Sequence, residues 1–404
     1  MKETLNSDIL KNDHLLLLNG NDSQKGYIAI GCKKEIVCTS KNINLDKLND
    51  FLAIPNSWKF GYLSYDLKNE FENLPSQNID ELEFPEIHFF IPKTLFKIEK
   101  DTISLVYGDI SLLSNVKEAF LTNKEAQTIP IKLTPRITEE EYLSKIRSVK
   151  EHIQKGDIYE MNFCYELFNE NVEMDPFETY TKLNELTNAP FSCFGNFNNK
   201  YILSASPERY IRKTGQQIIS QPIKGTISRG ANEIEDLKQI ENLKNNQKER
   251  SENIMIVDLV RNDLSKVAAK NSVEVEELCG IYTFETVHQM ISTVSATLKP
   301  QITFLDILKA TFPMGSMTGA PKIRAMELIE EYESTKRGVY SGCVGYVKPN
   351  GDFDFNVIIR TLLYNSKKKY LSCMVGGAIT SKSNEKEEYQ ETLLKAKAIL
   401  QALK

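Results

Sequence analysis

Glu249 and Glu252 stand three residues apart in one helix-like stretch, and Glu388 and Glu391 repeat that spacing in another. A step of three sets both carboxylates of a pair on one helix face. Two such faces turned toward each other would suit Mg²⁺, which takes oxygen ligands: one or two carboxylates, waters and an anionic substrate group. Spacing alone reads more readily as two solvated faces. Glu252 argues the other way, because Ile254-Met255-Ile256-Val257 follows it and places it at the edge of an apolar face. A second candidate is Lys224 in Gln221-Pro222-Ile223-Lys224-Gly225-Thr226-Ile227. Its neighbours are apolar strand residues, and Gly225 allows another group to approach the backbone closely. A desolvated lysine loses part of its preference for the charged form and can act as a nucleophile. The plain alternative is a strand lysine with a buried stem and a solvated head.

Three further stretches could carry chemistry. In Ser206-Pro207-Glu208-Arg209 the proline enforces an extended approach to Glu208. That carboxyl is either the ion-pair partner of Arg209 or a general acid, and residue order alone favours the pair. Gly315-Ser316-Met317-Thr318-Gly319-Ala320-Pro321-Lys322 leads into an apolar helix pattern. Pro321 suits a first turn and Ser or Thr a cap, so backbone amides could face an anion there. A simply capped helix is the equal alternative, and the spacing is not that of a Walker loop. Arg360 ends the strand pattern Asn356-Val357-Ile358-Ile359. An arginine inside an apolar strand needs an acidic partner, from the protein or from a substrate carboxylate. The nearby Val375-Gly376-Gly377-Ala378 again permits close backbone approach.

The elements that must position these residues are legible in part. Thr138 with Glu141 forms a capping box, Tyr142, Ile146, Val149 and Ile153 recur at helical spacing, and Gly156 ends the run. A long helical pattern covers roughly 234 to 264, and a closing helix runs from about 385 to 403. Residues 341 to 374 read as a β-meander with a hairpin turn at Asn350-Gly351. Residues 1 to 130 read as a strand-rich N-terminal subdomain, in which Tyr27-Ile28-Ala29-Ile30 and Glu35-Ile36-Val37-Cys38 flank Lys33-Lys34 in a hairpin-like pattern. Strands and helices do not alternate regularly. The expected class is therefore α+β with antiparallel sheets, not a doubly wound fold.

Composition excludes several classes. Charged residues are 26% of the 404 and the net charge is -5, so nothing invites nucleic acid or an anionic membrane. Leu15 to Leu18 is too short to cross a bilayer, and Met1-Lys2-Glu3-Thr4-Leu5-Asn6 lacks a signal-peptide core, so a cytoplasmic location is expected. The seven cysteines form no C-x-x-C pair and read as reduced, mostly buried thiols. No two of His14, His88, His152 and His288 lie at helical or hairpin ligand spacing, which speaks against a zinc site.

Taken in order, Gly156-Asp157-Ile158-Tyr159, Ser206-Pro207-Glu208-Arg209, Pro222-Ile223-Lys224-Gly225-Thr226, Glu252-Asn253 with Val257 to Asp263, Gly319-Ala320-Pro321-Lys322, Ile359-Arg360-Thr361 and Glu388-Tyr389-Gln390-Glu391-Thr392 resemble the chorismate-binding enzymes. That family includes the anthranilate, aminodeoxychorismate, isochorismate and salicylate synthases. The match covers about 135 to 404, so 131 to 404 is expected to be the catalytic region, intertwined with the N-terminal part. The resemblance implies a two-sheet antiparallel sandwich with helices outside. It further implies Mg²⁺ held by Glu252 and Glu391, with Glu249 and Glu388 supporting through water, and Glu208 as general acid/base. Tyr340, Arg360 and the Gly376 and Gly377 amides would bind a substrate carboxylate, and Thr226 and Thr318 would also contact substrate.

Lys224 is the discriminating position. Its lysine resembles the aminodeoxychorismate synthase pattern, whereas anthranilate synthases carry alanine there. This implies amination of chorismate at C4 through a covalent lysine intermediate, toward 4-aminobenzoate and folate; anthranilate synthesis is the alternative. Ammonia would come from a glutamine amidotransferase partner, since no glutaminase signature is present, and no fused lyase domain is expected. Two features depart from the family pattern. Glu160 stands where glutamine is common, and Gln289 stands where a histidine is common, with His288 one residue earlier.

Overall fold

The computed structural model describes residues 9–21, 25–100, 102–121, 130–285 and 287–404. The N-terminal hexapeptide read above for targeting lies outside them. In chain order the strands are β1 (His14–Gly20), β2 (Lys25–Cys38), β3 (Lys59–Leu63), β4 (Ile87–Glu99), β5 (Thr102–Tyr107), β6 (Thr134–Pro135), β7 (Glu160–Asn169), β8 (Phe191–Phe197), β9 (Lys200–Ser206), β10 (Arg209–Thr214), β11 (Gln217–Gln221), β12 (Ile223–Ser228), β13 (Glu274–Thr283), β14 (Val287–Thr297), β15 (Gly319–Ala320), β16 (Cys343–Val347), β17 (Phe353–Val357), β18 (Thr361–Asn365) and β19 (Tyr370–Thr380). The helices are α1 (Leu45–Leu52), α2 (Leu113–Leu121), α3 (Glu139–Lys155), α4 (Pro176–Thr187), α5 (Glu233–Asn245), α6 (Gln247–Val267), α7 (Phe304–Thr311), α8 (Lys322–Tyr332) and α9 (Glu385–Ala402).

These named strands pair antiparallel, as the α+β reading expects. One run of neighbours is β7–β19–β18–β9–β8–β1–β2, and another is β4–β3–β16–β17–β10–β11–β14 with β12 and β13 on β14. Long strands β2 and β4 pair with each other and join the two runs, so the expected two sheets form one continuous ladder. One apolar core lies between the runs: Leu16, Cys193, Phe197 and Ile202 from the first share it with Phe60, Tyr62, Phe89 and Phe355 from the second. Tyr62 and Phe197 meet edge to face, ring centroids 4.9 Å apart. A second core packs the other face of the first run against α3, α4 and α9 through Tyr142, Ile146, Leu183 and Ile399. Strands from before residue 130 are built into both runs, through β1–β8 and β3–β16.

Local chemistry explains several boundaries. The Thr138–Glu141 capping box is formed, and Gly156 closes α3 with φ 83°. The long pattern over 234 to 264 is two helices, because Asn246 turns its side chain back to accept from the Lys248 and Glu249 amides and so starts α6. Pro222 divides β11 from β12. The meander expected over 341 to 374 is corrected beyond its first hairpin. β16 and β17 pair around Gly351, but at Ile358 to Arg360 the chain leaves that run, and β18 pairs with β9 and β19 instead. The Lys33-Lys34 hairpin is also corrected. Residues 25–38 are one strand, and the irregularity at Cys32 to Lys34 is a bulge against β4. Gly31 takes the positive φ of 71° there, but Lys33 and Lys34 lack the turn chemistry that would reverse the chain. Six cysteines are buried and Cys32 is partly buried, all with free thiols. No helix among the described residues is long and apolar enough to cross a membrane.

Candidate active site

Lys224 enters the site from β12. Its Nζ donates to Glu160 Oε1 at 2.6 Å, and the two side chains are 10% and 1% exposed. Burial alone would lower the ammonium's pKa, but the carboxylates of Glu160, Glu252 and Glu208 outweigh it and hold Lys224 in the charged form. Glu160 sits at the start of β7, where Ala320 of the short strand β15 pairs with it. Its second oxygen, Oε2, is buried without a hydrogen-bond partner. The bond to Glu160 rejects the reading of Lys224 as a solvated strand lysine.

Glu208 lies between β9 and β10, buried at 4%. Ser316 Oγ donates to its Oε1 at 2.6 Å. Burial pushes the carboxyl up to about 7, against the pull of that hydroxyl and of the Lys224 charge. The ion pair with Arg209 that residue order favoured is not formed. Arg209, the first residue of β10, turns to the adjacent strand instead: its Nε donates to Asp354 Oδ1 of β17 at 2.9 Å. The turn before α8 is positioned from inside: Thr318 Oγ1 bonds the Met314 and Gly315 carbonyls at 3.3 Å, and Lys322 Nζ reaches Asp263 at 2.5 Å. The side-chain cap expected for α8 is absent; Pro321 holds that position with no capping hydrogen bond. Lys322 is thus engaged by α6 and is not a free anion ligand.

The two acidic steps do face each other. Lys248 Nζ on α6 lies 2.8 Å from Glu388 of α9 and 3.9 Å from Glu252 on its own helix. A methyl group added at Gly225, whose φ is +89°, would stand 3.1 Å from Glu249 Oε2, so that carboxylate lies against the backbone beside Lys224. Burial raises Glu252 to about 8, with Lys224 opposing and Glu160 and Glu249 adding to the rise. Glu249 is raised as well, by burial and then by the Glu391 charge. Glu391 is the most open of the four and pairs with Lys395 at 2.8 Å. For Glu391 that ammonium outweighs burial and holds the carboxyl below its ordinary value. Glu252 Oε1 is buried with no hydrogen-bond partner. The orphaned buried oxygen of Glu252 and the carboxylates around it are the donor chemistry of a hard divalent cation, while Lys248 and Lys395 hold Glu388 and Glu391 in this arrangement.

Arg360 lies near Tyr340 and Glu391. Arg360, at φ 53°, stands where the chain crosses between the strand runs. Burial lowers its pKa, with Tyr340 and Glu391 among the charges that act on it. Among the described residues its guanidinium has no hydrogen bond or ion pair, which leaves it for an anionic ligand. Gly376 packs on Cys164 of β7, where a Cβ would come within 2.4 Å of the sulfur. Gly377 faces Glu388 and Lys395, each 3.6 Å from where its Cβ would be. Thr226 is exposed, and its hydroxyl accepts from Gln289 at 3.5 Å. His288 is turned away from this set, bonded to Asp236 and Thr283 at 2.9 Å each.

Sequence reasoning gave no role to Ser316, Lys248 or the buried Arg337–Glu333 pair. Arg337 bonds Glu333, the Met317 carbonyl and the Asn162 carbonyl, tying the Ser316 turn to β7. Glu160 stands out in the sequence only as a departure from the family pattern, and its separation of 64 residues from Lys224 hides the pair.

Residues 13–401 match the family described as chorismate binding enzyme. Aminodeoxychorismate synthase component 1 of Escherichia coli (strain K12) is 37% identical over 351 residues, 85% of this chain and 76% of that protein. Anthranilate synthase component 1 of Lactococcus lactis is 32% identical over 375 residues, 88% of this chain and 81% of that protein. The crystal structure of anthranilate synthase component I from Streptococcus pneumoniae TIGR4 superposes with a TM-score of 0.82 at 26% identity, covering 94% of this chain and 92% of that one. With the family match running over residues 13–401 and relatives above 30% identity across most of their length, the chain belongs to the chorismate-binding enzymes.

Proposed function

We propose that this enzyme aminates chorismate at C4, with Lys224 as a temporary covalent partner of the ring. The observation that carries the reading is Lys224 itself: a buried amine between Glu160, Glu208 and Glu252, which an enzyme adding ammonia directly at C2 would not need. Similarity to aminodeoxychorismate synthase component 1 of three enterobacteria, at 37 to 38% identity, supports it.

The residues divide the work. Lys224 begins as an ammonium, and Glu160, 2.6 Å away, receives its proton. The free amine attacks C2, the ring double bond shifts, and the C4 hydroxyl leaves as water with a proton from Glu208. A carboxyl that burial raises to about 7 suits that role, since it keeps a protonated population near neutrality. Ammonia then bonds C4 and gives up a proton to Glu208, the double bond shifts back, the C2–N bond to Lys224 breaks, and the freed amine recovers its proton from Glu160. Chorismate and ammonia are consumed; aminodeoxychorismate and water are formed. Arg360 and Tyr340 orient one substrate carboxylate. Glu252, Glu391, Glu249 and Glu388 would hold Mg²⁺, which when bound supplies positive charge for the other substrate carboxylate. A glutamine amidotransferase would deliver the ammonia, the product would lead to 4-aminobenzoate and folate, and the free thiols suit a cytoplasmic setting.

The test is product identification from chorismate, ammonium and Mg²⁺ by chromatography. Aminodeoxychorismate is expected. Anthranilate with pyruvate, formed without an added lyase, would overturn the reading in favour of the alternative.

A further inference from the structure

Histidine spacing along the chain argued against a transition-metal site, but the strand register assembles one. Cys32 and Glu35 are three apart on β2, and in a regular strand they would face opposite sides. The bulge sets two residues of β2 against one of β4: Cys32 lies opposite Pro92, Lys34 opposite Ile91 and Glu35 opposite Phe90. That extra residue turns Cys32 and Glu35 to the same face. His88 is two residues from Phe90 on β4, a diagonal neighbour of Glu35 on that face. His14 precedes the Leu15–Ile30 pair and reaches the group from β1.

The side chains converge. Glu35 Oε2 lies 2.8 Å from His14 Nε2 and 2.9 Å from His88 Nε2. The ligand atoms of His14, Cys32 and Glu35 all fall within 4.8 Å of one another. The two imidazole rings meet edge-on, centroids 5.6 Å apart. These residues play no part in the chemistry around Lys224.

We propose that His14, Cys32, Glu35 and His88 form a binding site for a divalent transition-metal ion of the zinc type. The set is chemically apt: two neutral imidazoles, one thiolate and one carboxylate balance a 2+ charge, and the sulfur selects against Mg²⁺ and Ca²⁺. Tetrahedral ligand atoms at about 2.0 to 2.3 Å from zinc stand roughly 3.4 to 3.6 Å apart. His88 joins the group of His14, Cys32 and Glu35 only through Glu35 Oε2, so on binding the histidine–carboxylate contacts open slightly while Cys32 and the His88 ring turn inward by side-chain torsion. Binding releases the thiol proton and leaves each imidazole proton on Nδ1, with Nε2 facing the ion. Four protein ligands leave no open position, so the ion clasps β1, β2 and β4 and performs no chemistry.

The test is a Co²⁺ titration of the full chain after chelator treatment, with excess Mg²⁺ present to fill the carboxylate site. One equivalent is expected to bind, with ligand-field bands of a tetrahedral site and a sulfur-to-cobalt charge-transfer band. Cys32→Ser should abolish that band. His14→Ala should weaken binding by more than about 100-fold, beyond the loss typical of a residue one shell further out. Circular dichroism checks folding, which should survive because Cys32 and His14 are only partly buried. Absence of cobalt binding, or wild-type spectrum and affinity in either variant, overturns the assignment.

Discussion

Replacing Glu208 by Gln should make the enzyme more stable and less active, with the stability gain appearing only at higher pH. Burial holds this carboxyl near 7 against an ordinary value of 4.5. Below pH 4.5 the folded and unfolded chains both carry the proton, and Glu208 costs nothing. Between 4.5 and 7 the unfolded chain ionises first, so stability drains away as pH rises; above 7 the loss is complete. At about 1.4 kcal/mol per unit the full cost is roughly 3 kcal/mol. Glutamine copies the protonated form in shape and can still accept from Ser316, so it should escape most of that cost. Urea unfolding at about pH 4 and pH 8 should give near-equal midpoints at the first and a clearly higher midpoint for Glu208→Gln at the second. Turnover of chorismate with ammonium should fall by about 100-fold or more, the usual worth of a general acid. A variant no more stable than wild type at pH 8, or one with unchanged turnover, would refute the reasoning.

Other outcomes follow from the same geometry. Glu160→Gln removes the nearest charge holding Lys224 protonated, so the rising limb of kcat/KM against pH should move to lower pH, with a lower plateau because the proton acceptor is gone; an unchanged profile would remove Glu160 from the mechanism. Arg360→Met should lower kcat/KM on the order of 100-fold, from about 3 kcal/mol lost with one partner of a buried charge pair. Steady-state kinetics with chorismate checks this. Gly225→Ala meets a left-handed backbone at φ +89° and a carboxylate 3.1 Å away. Roughly 1 to 2 kcal/mol of stability should be lost and Mg²⁺ binding weakened, as thermal unfolding and calorimetry would show.

What the sequence disclosed divides by range. The capped helix at Thr138, the Asn350-Gly351 hairpin and the acidic steps on α6 and α9 are local patterns, and each is formed. The Lys33-Lys34 hairpin failed because a bulge and a turn interrupt alternation in the same way, and only pairing with β4 separates them. Glu208 and Arg209 are neighbours in the chain, but β10 lies beside β17 and Arg209 bonds Asp354 there. Contacts such as Lys248–Glu388, Ser316–Glu208 and His14–Glu35–His88 join residues far apart in sequence, and no periodicity encodes them.

The most direct measurement is mass spectrometry of the protein quenched during incubation with chorismate and Mg²⁺, ammonium withheld. A peptide containing Lys224 should gain the mass of chorismate less one water, vanish on adding ammonium, and be absent from Lys224→Ala. Aminodeoxychorismate formed at the wild-type rate by Lys224→Ala, with no adduct on the native enzyme, would contradict the role given to that amine.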